Sequence, residues 1–334
     1  MKLQLMDCTL RDGANVVGKG FSEKLTEMML RGLTDAHVPF IEYGNAGGIG
    51  AYEVAGFKDA LPDEEYLKIA QPFLPKSKIG MFLNARRYRD YYIAMAAAHG
   101  MSFLRVGADA GDGNKISVEP IASIKRHGMM AFYSLMKAYL LTPEQLAEEG
   151  KLLEDAGLDQ ITIMDSAGTM TPDQVAAYTE NLAHAVSIPV AFHGHNNLGL
   201  SAANAVAAYQ NGAAMLDCGL MGMARSAGNL ATELAVAIMQ RYEELLDIDL
   251  FSLLHFIEDT LEPAMKQHSY HNPVKPYDII LGFSGCHSNF GKIFKAVAKE
   301  TEVDLFKLTC RVSKTNQKAP SEEEIRTVAA TIKA

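Results

Sequence analysis

Short, nearly continuous hydrophobic runs alternate with longer stretches of mixed polarity along most of the chain. Such runs are typical of strands that are buried on both faces of a parallel sheet. Eight of them occur, at residues 3–8, 39–43, 78–83, 103–106, 129–135, 160–164, 189–193 and 215–220. The stretches between them carry helix signals, so the pattern predicts a repeated strand–helix unit.

The clearest helix signals open two of these intervening stretches. Residues 142–145 (TPEQ) and 171–174 (TPDQ) each place a capping hydroxyl before a proline and an acidic first turn. Gly157 follows the first of these helices as a stop signal. Eight such units favour a closed α/β barrel of the TIM type over an open sheet. No G-x-G-x-x-G motif follows the first strand, which weighs against a dinucleotide-binding Rossmann fold.

The pattern divides the chain into two parts. We expect residues 1–249 to form the TIM-barrel catalytic domain. Residues 250–334 are mostly helical in pattern and are predicted to form a C-terminal helical extension. This extension would cover the barrel mouth or form an interface with a partner.

Polar residues follow the predicted strands, where the active site of a TIM barrel lies. These residues are Asp7, Thr9, Arg11, Asp12, Glu42, Asn45, Asn84, Arg86, Asp109, Lys137, Asp165, Ser166, His193, His195, Asn197 and Arg225. A barrel without a ligand would not need polar groups at every strand end. We therefore expect a binding site there.

The sharpest local signal is the pair His193 and His195 at the end of the seventh run. Side chains two positions apart on a strand point to the same side, so both imidazoles can bind one ion. Asp12 follows the first run, which only the eighth separates from the seventh in a closed barrel, and can supply a third ligand. One carboxylate and two imidazoles suit Mn²⁺, Mg²⁺, Fe²⁺ or Zn²⁺.

Two further residues are candidates for contacts with a substrate. The guanidinium of Arg11 could stabilise an enolate oxygen as it gains charge. The alternative is a structural ion pair between Arg11 and Asp7 or Glu42. Ser166, together with nearby backbone N–H groups at a helix N-terminus, could hold a substrate carboxylate.

The bulk composition excludes several classes of function. The net charge is −9 and no basic stripe stands out, so we expect no nucleic-acid surface. The four cysteines form no C-x-x-C pair, and no apolar span is long enough for a membrane helix. Met1 is followed by Lys2 and a strand-like run rather than by a signal-peptide core. We expect a cytoplasmic protein.

Two motifs carry a resemblance to a known family. Residues 7–13 (DCTLRDG) and 193–197 (HGHNN) resemble the two signatures of the metal-dependent barrel aldolases, lyases and synthases, the family of isopropylmalate synthase and HMG-CoA lyase. The glycine-rich residues 222–229 resemble its loop after the last strand. Within the family, residues 165–168 and 281–288 are most similar to the 4-hydroxy-2-oxovalerate aldolases.

This resemblance implies an aldolase that makes or breaks a 4-hydroxy-2-oxo acid through a pyruvate enolate. It makes Asp12, His193 and His195 the ligands of a divalent metal, with Mn²⁺ or Mg²⁺ favoured. It makes Arg11 the stabiliser of the enolate and Ser166 a contact to the carboxylate. An acylating aldehyde dehydrogenase or a second copy of the chain would be the protein partner.

The chain departs from the aldolase pattern at two positions. The aldolases place a basic histidine where this chain has Asn15, and a tyrosine where it has His287. An amide cannot accept a proton at neutral pH. One hypothesis is that His287 has become the base; the alternative is that it packs in a helical cap. Arg86 and Lys137 could bind an anionic group on the aldehyde, or they could be ordinary surface cations.

Two other functions remain open at this stage. The first is an acyl-CoA Claisen-type lyase or synthase, although residues 222–229 lack the loop cysteine of the lyases and the chain is short for a synthase. The second is a non-catalytic metal-binding barrel, suggested by Asn15. The polar cluster around Arg11 and Asp12 argues against a pure scaffold.

Overall fold

The computed structural model describes residues 2–57, 59–270 and 276–333. In this part of the chain, eight parallel strands pair in sequence order and close into a barrel through a β1–β8 pairing. The strands are β1 (Gln4–Asp7), β2 (Phe40–Tyr43), β3 (Lys78–Asn84), β4 (Phe103–Asp109), β5 (Met130–Met136), β6 (Gln160–Asp165), β7 (Val190–Gly194) and β8 (Met215–Cys218). The predicted TIM barrel is confirmed.

Helices follow the strands and surround the barrel. They are α1 (Glu23–Asp35), α2 (Ala51–Val54), α3 (Asp63–Ala70), α4 (Asp90–Ala98), α5 (Gly113–Ile116), α6 (Val118–Arg126), α7 (Pro143–Asp155), α8 (Pro172–Ala185), α9 (Ser201–Gln210), α10 (Thr232–Gln240), α11 (Leu250–Phe256), α12 (Glu262–Lys266), α13 (Pro276–Ser284), α14 (Gly291–Thr301), α15 (Leu305–Ser313) and α16 (Glu322–Lys333). Thr142 and Thr171 form capping boxes at the starts of α7 and α8, as predicted.

The apolar side chains beyond residue 249 divide between two cores. Leu253, Leu261 and Met265 belong to the core that the barrel and its helices share. A second core begins with Leu281 and ends with Ala329. The division of the chain at residues 249 and 250 stays a prediction, because the described cores separate further along the chain.

The segment that holds the second core packs over the carboxyl ends of the strands. A Cβ on Gly282 would lie 2.7 Å from Cβ of Asn197 and 3.1 Å from the carbonyl oxygen of Gly168, so only glycine permits this approach. Lys137 donates from Nζ to the carbonyl oxygen of Lys318 at 2.9 Å. The extension therefore covers part of the barrel mouth.

No helix within residues 2–57, 59–270 and 276–333 combines the length and the apolar character needed to cross a membrane.

The close approach at Gly282 makes a testable prediction. Gly282→Val should push α13 away from the barrel mouth, because the added side chain overlaps Asn197. Turnover should fall, while the affinity for a divalent metal changes little, since Asp12, His193 and His195 all lie on the barrel. Titration calorimetry with Mn²⁺ and a turnover assay measure the two effects. Ala298→Val, which overpacks the second core alone, is the control; an equal loss of turnover in it would contradict this explanation.

Candidate active site

Three predicted metal ligands come together at the carboxyl end of the barrel. His193 ends β7, His195 follows it, and Asp12 lies in the turn after β1. The Oδ2 atom of Asp12 is 3.5 Å from Nε2 of His193 and 3.7 Å from Nε2 of His195. All three side chains are buried, and their candidate ligand atoms lie within 4.8 Å of one another.

The unpaired atoms of this group fit a metal ion. Among the described residues, Nε2 of His193 and both ring nitrogens of His195 are buried without a hydrogen-bond partner. Buried polar atoms are costly unless they are paired, so a cation bound by these nitrogens would account for the arrangement. The chemistry of the donors agrees, since imidazole and carboxylate together suit Mn²⁺, Fe²⁺ or Zn²⁺.

Two of the three groups, Asp12 and His195, are in the protonation state that a bound cation requires. Burial alone would raise the pKa of Asp12, but the neighbouring Arg11 and the two imidazoles hold that pKa well below its usual range. Burial lowers the pKa of His195 to about 3, so this ring is neutral. Burial also acts to lower the pKa of His193, but Asp12 and Asp217 outweigh it and raise that pKa.

A buried ion-pair network orients the site from below. Asp217 on β8 lies 3.1 Å from Nδ1 of His193, which leaves Nε2 of that ring directed at Asp12. Arg105 on β4 contacts Asp217 and also binds Glu42 on β2 with two contacts of 2.7 Å. Glu42 in turn lies 2.5 Å from Nε of Arg11. Ligand-orienting carboxylates of this kind commonly tune metal affinity.

Sequence reasoning missed Arg105 and Asp217. The available signal was a single charged residue inside each of two apolar runs, 103–106 and 215–220. Cys8, His193 and Asp217 form a second group with metal-like spacing. Arg105 takes the place of an ion in this second group, because it contacts both Asp217 and Sγ of Cys8. Burial also raises the pKa of the Cys8 thiol well above its usual value.

Arg11 forms the structural ion pair considered for it and still has one free nitrogen. Its Nε pairs with Glu42 and its Nη1 lies 3.2 Å from Asp12, as in a structural ion pair. Its Nη2, however, is buried without a partner among the described residues. The guanidinium also lies over the ring of Phe82, 5.2 Å from its centroid. Arg11 is thus held rigidly with one N–H group unused.

A cavity of about 310 Å³ lies above Arg11. Its lining includes Asn15, Lys19, Arg87, Lys137, Ser166, Arg225 and His287. Ser166 accepts the backbone N–H of Lys137 at 2.9 Å, which leaves its own hydroxyl proton for another acceptor. The predicted contact residues Arg11, Ser166 and Lys137 therefore share one cavity.

The expectation for Arg86 requires correction. The side chain of Asn84 accepts the backbone N–H of Arg86 at 3.0 Å and starts a short helical turn. Arg86 points outward from this turn, is 68% exposed and pairs with Asp112 at 3.0 Å. Arg87, the next residue, lines the cavity instead. Lys137 lines it too, but its ammonium group pairs with Asp109 at 3.0 Å.

Two buried carboxylates at strand ends serve the backbone. Asp165 accepts the N–H groups of Thr169 and Met170, at 3.0 and 2.9 Å. Asp7 accepts the N–H of Thr9 and the hydroxyl of Thr232. Burial raises the pKa of both carboxyl groups to about 6. These two residues shape the loops that carry Asp12 and Ser166.

The two positions that depart from the aldolase pattern lie beside the same cavity. Asn15 donates to the carbonyl oxygen of Asp12 at 2.9 Å and accepts from Nζ of Lys19 at 2.9 Å. His287 is buried, and its Nδ1 accepts the backbone N–H of Asn289 at 3.2 Å. Burial, Arg225 and Lys137 hold the pKa of His287 well below its usual value. The ring is therefore neutral and carries its proton on Nε2.

Comparison with known proteins adds independent findings. A model of the HMGL-like family matches residues 2–259. The chain is 33% identical over 304 residues to a 4-hydroxy-2-oxovalerate aldolase of Carboxydothermus hydrogenoformans, covering 91% of this chain and 89% of that protein. A protein of the same name from Moorella thermoacetica is 34% identical over 290 residues, covering 86% of this chain and 84% of that protein.

Among solved structures, the carboxyl transferase domain of Rhizobium etli pyruvate carboxylase superposes with a TM-score of 0.78. The match covers 99% of this chain and 61% of that one at 16% identity, so it supports the fold alone.

The contact between His193 and Asp217 makes a second prediction. Asp217→Asn should weaken Mn²⁺ binding by roughly 10–100-fold, because it removes the charge that orients and polarises the ring. Titration calorimetry measures the affinity, with Asp247→Asn as a control for an exposed carboxylate. Unchanged affinity together with a lower melting temperature would mean that Asp217 serves only to neutralise Arg105.

Proposed function

The chain belongs to the HMGL-like family, and we propose that it is a divalent-metal-dependent aldolase that makes or breaks the carbon–carbon bond of a 4-hydroxy-2-oxo acid. One observation carries this proposal. Among the described residues, Arg11 has an unpartnered Nη2, and His193 and His195 have unpartnered Nε2 atoms. All three side chains lie beside the carboxylate of Asp12, at 3.2, 3.5 and 3.7 Å. The names of the relatives above support the same reaction, with a 2-oxo acid and an aldehyde as its small-molecule partners.

Asp12, His193 and His195 would hold the metal, for which we favour Mn²⁺ or Mg²⁺. When it is bound, such an ion acts as a Lewis acid on the 2-oxo group of the substrate. The chain supplies the rest of the charge stabilisation. Arg11 is fixed by Glu42 and Phe82, so its free N–H group needs no reorganisation to meet an enolate oxygen. The hydroxyl group of Ser166 would donate a hydrogen bond to the substrate carboxylate.

When the carbon–carbon bond breaks, the proton of the 4-hydroxyl group must pass to a base. Asn15 cannot accept it, and both ends of its amide already have partners. His287 lines the cavity, but its lone pair on Nδ1 accepts the N–H of Asn289. We propose that His287, in its resting tautomer, donates a hydrogen bond from Nε2–H to the 4-oxygen. The carbon–carbon bond breaks once the ring releases Asn289 and changes tautomer, because Nε2 then accepts the proton of the 4-hydroxyl group.

The competing functions have less support. An acyl-CoA Claisen enzyme of the lyase type would use a cysteine in a loop, and Cys218 is buried in β8 with a pKa raised well above its usual value. A non-catalytic barrel would give no reason for the unused N–H group of Arg11. An assay with acetyl-CoA in place of the aldehyde distinguishes the first alternative.

The partner and the compartment remain proposals. Large exposed apolar side chains concentrate on α10, α11 and the segment between them, at Leu234, Tyr242, Leu246, Phe251 and Leu254. We propose this face for an acylating aldehyde dehydrogenase or a second copy of the chain.

The cysteines of the described residues are all unpaired, which supports a cytoplasmic, reducing setting.

The proposed reaction is tested by the release of pyruvate from 4-hydroxy-2-oxo acids, in metal-stripped protein with and without added Mn²⁺. We expect turnover only with the metal. Arg11→Ala should lower kcat by roughly a hundredfold or more, because it removes a group that stabilises the developing charge. Arg89→Ala, an exposed arginine after the third strand, is the matched control. Metal-bound protein that releases no pyruvate from any of these acids would refute the proposal.

The role of His287 is tested by a pair of substitutions. His287→Ala should lower kcat strongly and leave the metal content unchanged. His287→Gln keeps an N–H donor but has no basic nitrogen. A partial recovery in the glutamine variant is therefore expected if the ring donates a hydrogen bond. Equal loss in both variants would mean that His287 acts only as the base, and unchanged turnover in both would remove it from the mechanism.

A further inference from the structure

A second cavity, of about 590 Å³, continues from the first. The two share Asn15, Lys19, Arg225 and Asn289 in their linings. The second cavity extends away from Ser166 and Arg11, towards Ser288 and Lys292 of the extension. A substrate whose carboxylate lies at Ser166 would direct its far end there.

Arg225 lines both cavities and has no binding partner among the described residues. Its side chain makes no hydrogen bond and no ion pair with any described residue, and its Nε is buried. Burial lowers its pKa, so it lies where a charge is costly. An unpaired, partly buried guanidinium is rarely left without an anion, since its five N–H groups match carboxylate and phosphate.

Two further cations line the same cavity. Lys19 has a left-handed backbone with φ of 96°, a costly conformation for a residue with a side chain. This backbone places its ammonium group beside Asn15 and over the ring of Phe57, at 5.7 Å from the centroid. Lys292 on α14 completes the set. All three cations line one cavity, and burial, Arg225 and Lys292 lower the pKa of Lys19 against the opposing effect of Asp12.

The charges on the other side of the mouth behave differently. Arg86 and Lys318 both pair with Asp112 at 3.0 Å, and Lys137 pairs with Asp109. In contrast, the described residues that line the second cavity include no aspartate or glutamate. Arg86, Lys137 and Lys318 thus form ion pairs with carboxylates, whereas Arg225, Lys19 and Lys292 form none with a described residue. Asp12, outside the lining of the second cavity, is the acidic group that acts on Arg225 and Lys19.

We propose that Arg225, Lys19 and Lys292 bind a second anionic group, a phosphate or a carboxylate, on the aldehyde portion of the substrate. This inference rests on the proposed aldolase function and adds the class of aldehyde, which is anionic. The sequence suggested Arg86 and Lys137 for binding an anionic group on the aldehyde; the proposal assigns this role to Arg225, Lys19 and Lys292 instead. Guanidinium and ammonium groups both bind phosphate and carboxylate oxygens, so the two anions must be separated by experiment.

The test measures kcat/KM for condensation of pyruvate with two pairs of aldehydes. Glyceraldehyde 3-phosphate is compared with glyceraldehyde, and succinic semialdehyde with butanal. The wild-type enzyme should prefer one charged member, and the preferred pair identifies the anion. Arg225→Gln should reduce this preference by roughly tenfold or more, the usual effect of losing a charged hydrogen bond. Lys292→Gln should reduce it less, because that side chain is exposed.

Lys299→Gln is the matched control, because Lys299 lies on the same helix but outside both cavities. A second readout does not depend on catalysis: calorimetric binding of inorganic phosphate, which Arg225→Gln should weaken to a similar extent. If the enzyme turns over neutral aldehydes, shows no preference for the charged ones and binds no phosphate, the anion site is refuted and the aldolase function stands. Phosphate binding that depends on Arg225, without turnover of any aldehyde, would support the anion site and refute the aldolase.

Discussion

A positive charge in a barrel interior is stable only where carboxylates surround it, because removing an unpaired ion from water costs several kcal/mol. Arg105 is wholly buried on β4 and meets this condition by pairing with Glu42 on β2 and Asp217 on β8. Each carboxylate then has a second contact, Glu42 with Arg11 and Asp217 with His193. One guanidinium thus fixes the proposed enolate-binding cation, Arg11, and the proposed metal ligand, His193, relative to each other.

The same network sets the charge of the site. Arg11 and Arg105 face three carboxylates, those of Asp12, Glu42 and Asp217, while His195 is neutral. Asp12 and Asp217 raise the pKa of His193. When that ring is neutral, as metal binding requires, the cluster has one negative charge in excess, which favours a cation in a region where water is largely excluded. A divalent ion reverses the sign, and the carboxylate of a 2-oxo acid then restores neutrality. The net charge of the site would therefore be small both without the metal and with metal and substrate bound.

Local pattern was enough to predict the barrel, and it also predicted that Asp12, His193 and His195 lie together. Their role as metal ligands stays a proposal. Alternating runs indicate the strand order, and the two-residue period places His193 and His195 on one side. Arg105 could not be found in this way, because a lone charge in an apolar run shows no partner until the closed barrel brings β2, β4 and β8 around one interior. The turn that directs Arg86 outward, and the lack of any partner for Arg225, likewise depend on contacts that a one-dimensional pattern does not contain.

Asn15 stands where the resemblance to the aldolases implies a basic histidine, and one electrostatic constraint links this residue to the cations of the second cavity. A histidine at this position would have to carry a positive charge during each turnover, beside Lys19 and Arg225, and their repulsion would oppose that step. The amide of Asn15 instead accepts from Lys19 and donates to the backbone of Asp12, with no change of charge. Proton transfer and anion binding compete for this wall of the cavity. We propose that the chain uses this side of the cavity for anion binding and that His287 handles the proton. Arg225 and Lys137 disfavour a positive charge on that ring too, so the ring is neutral and weakly basic.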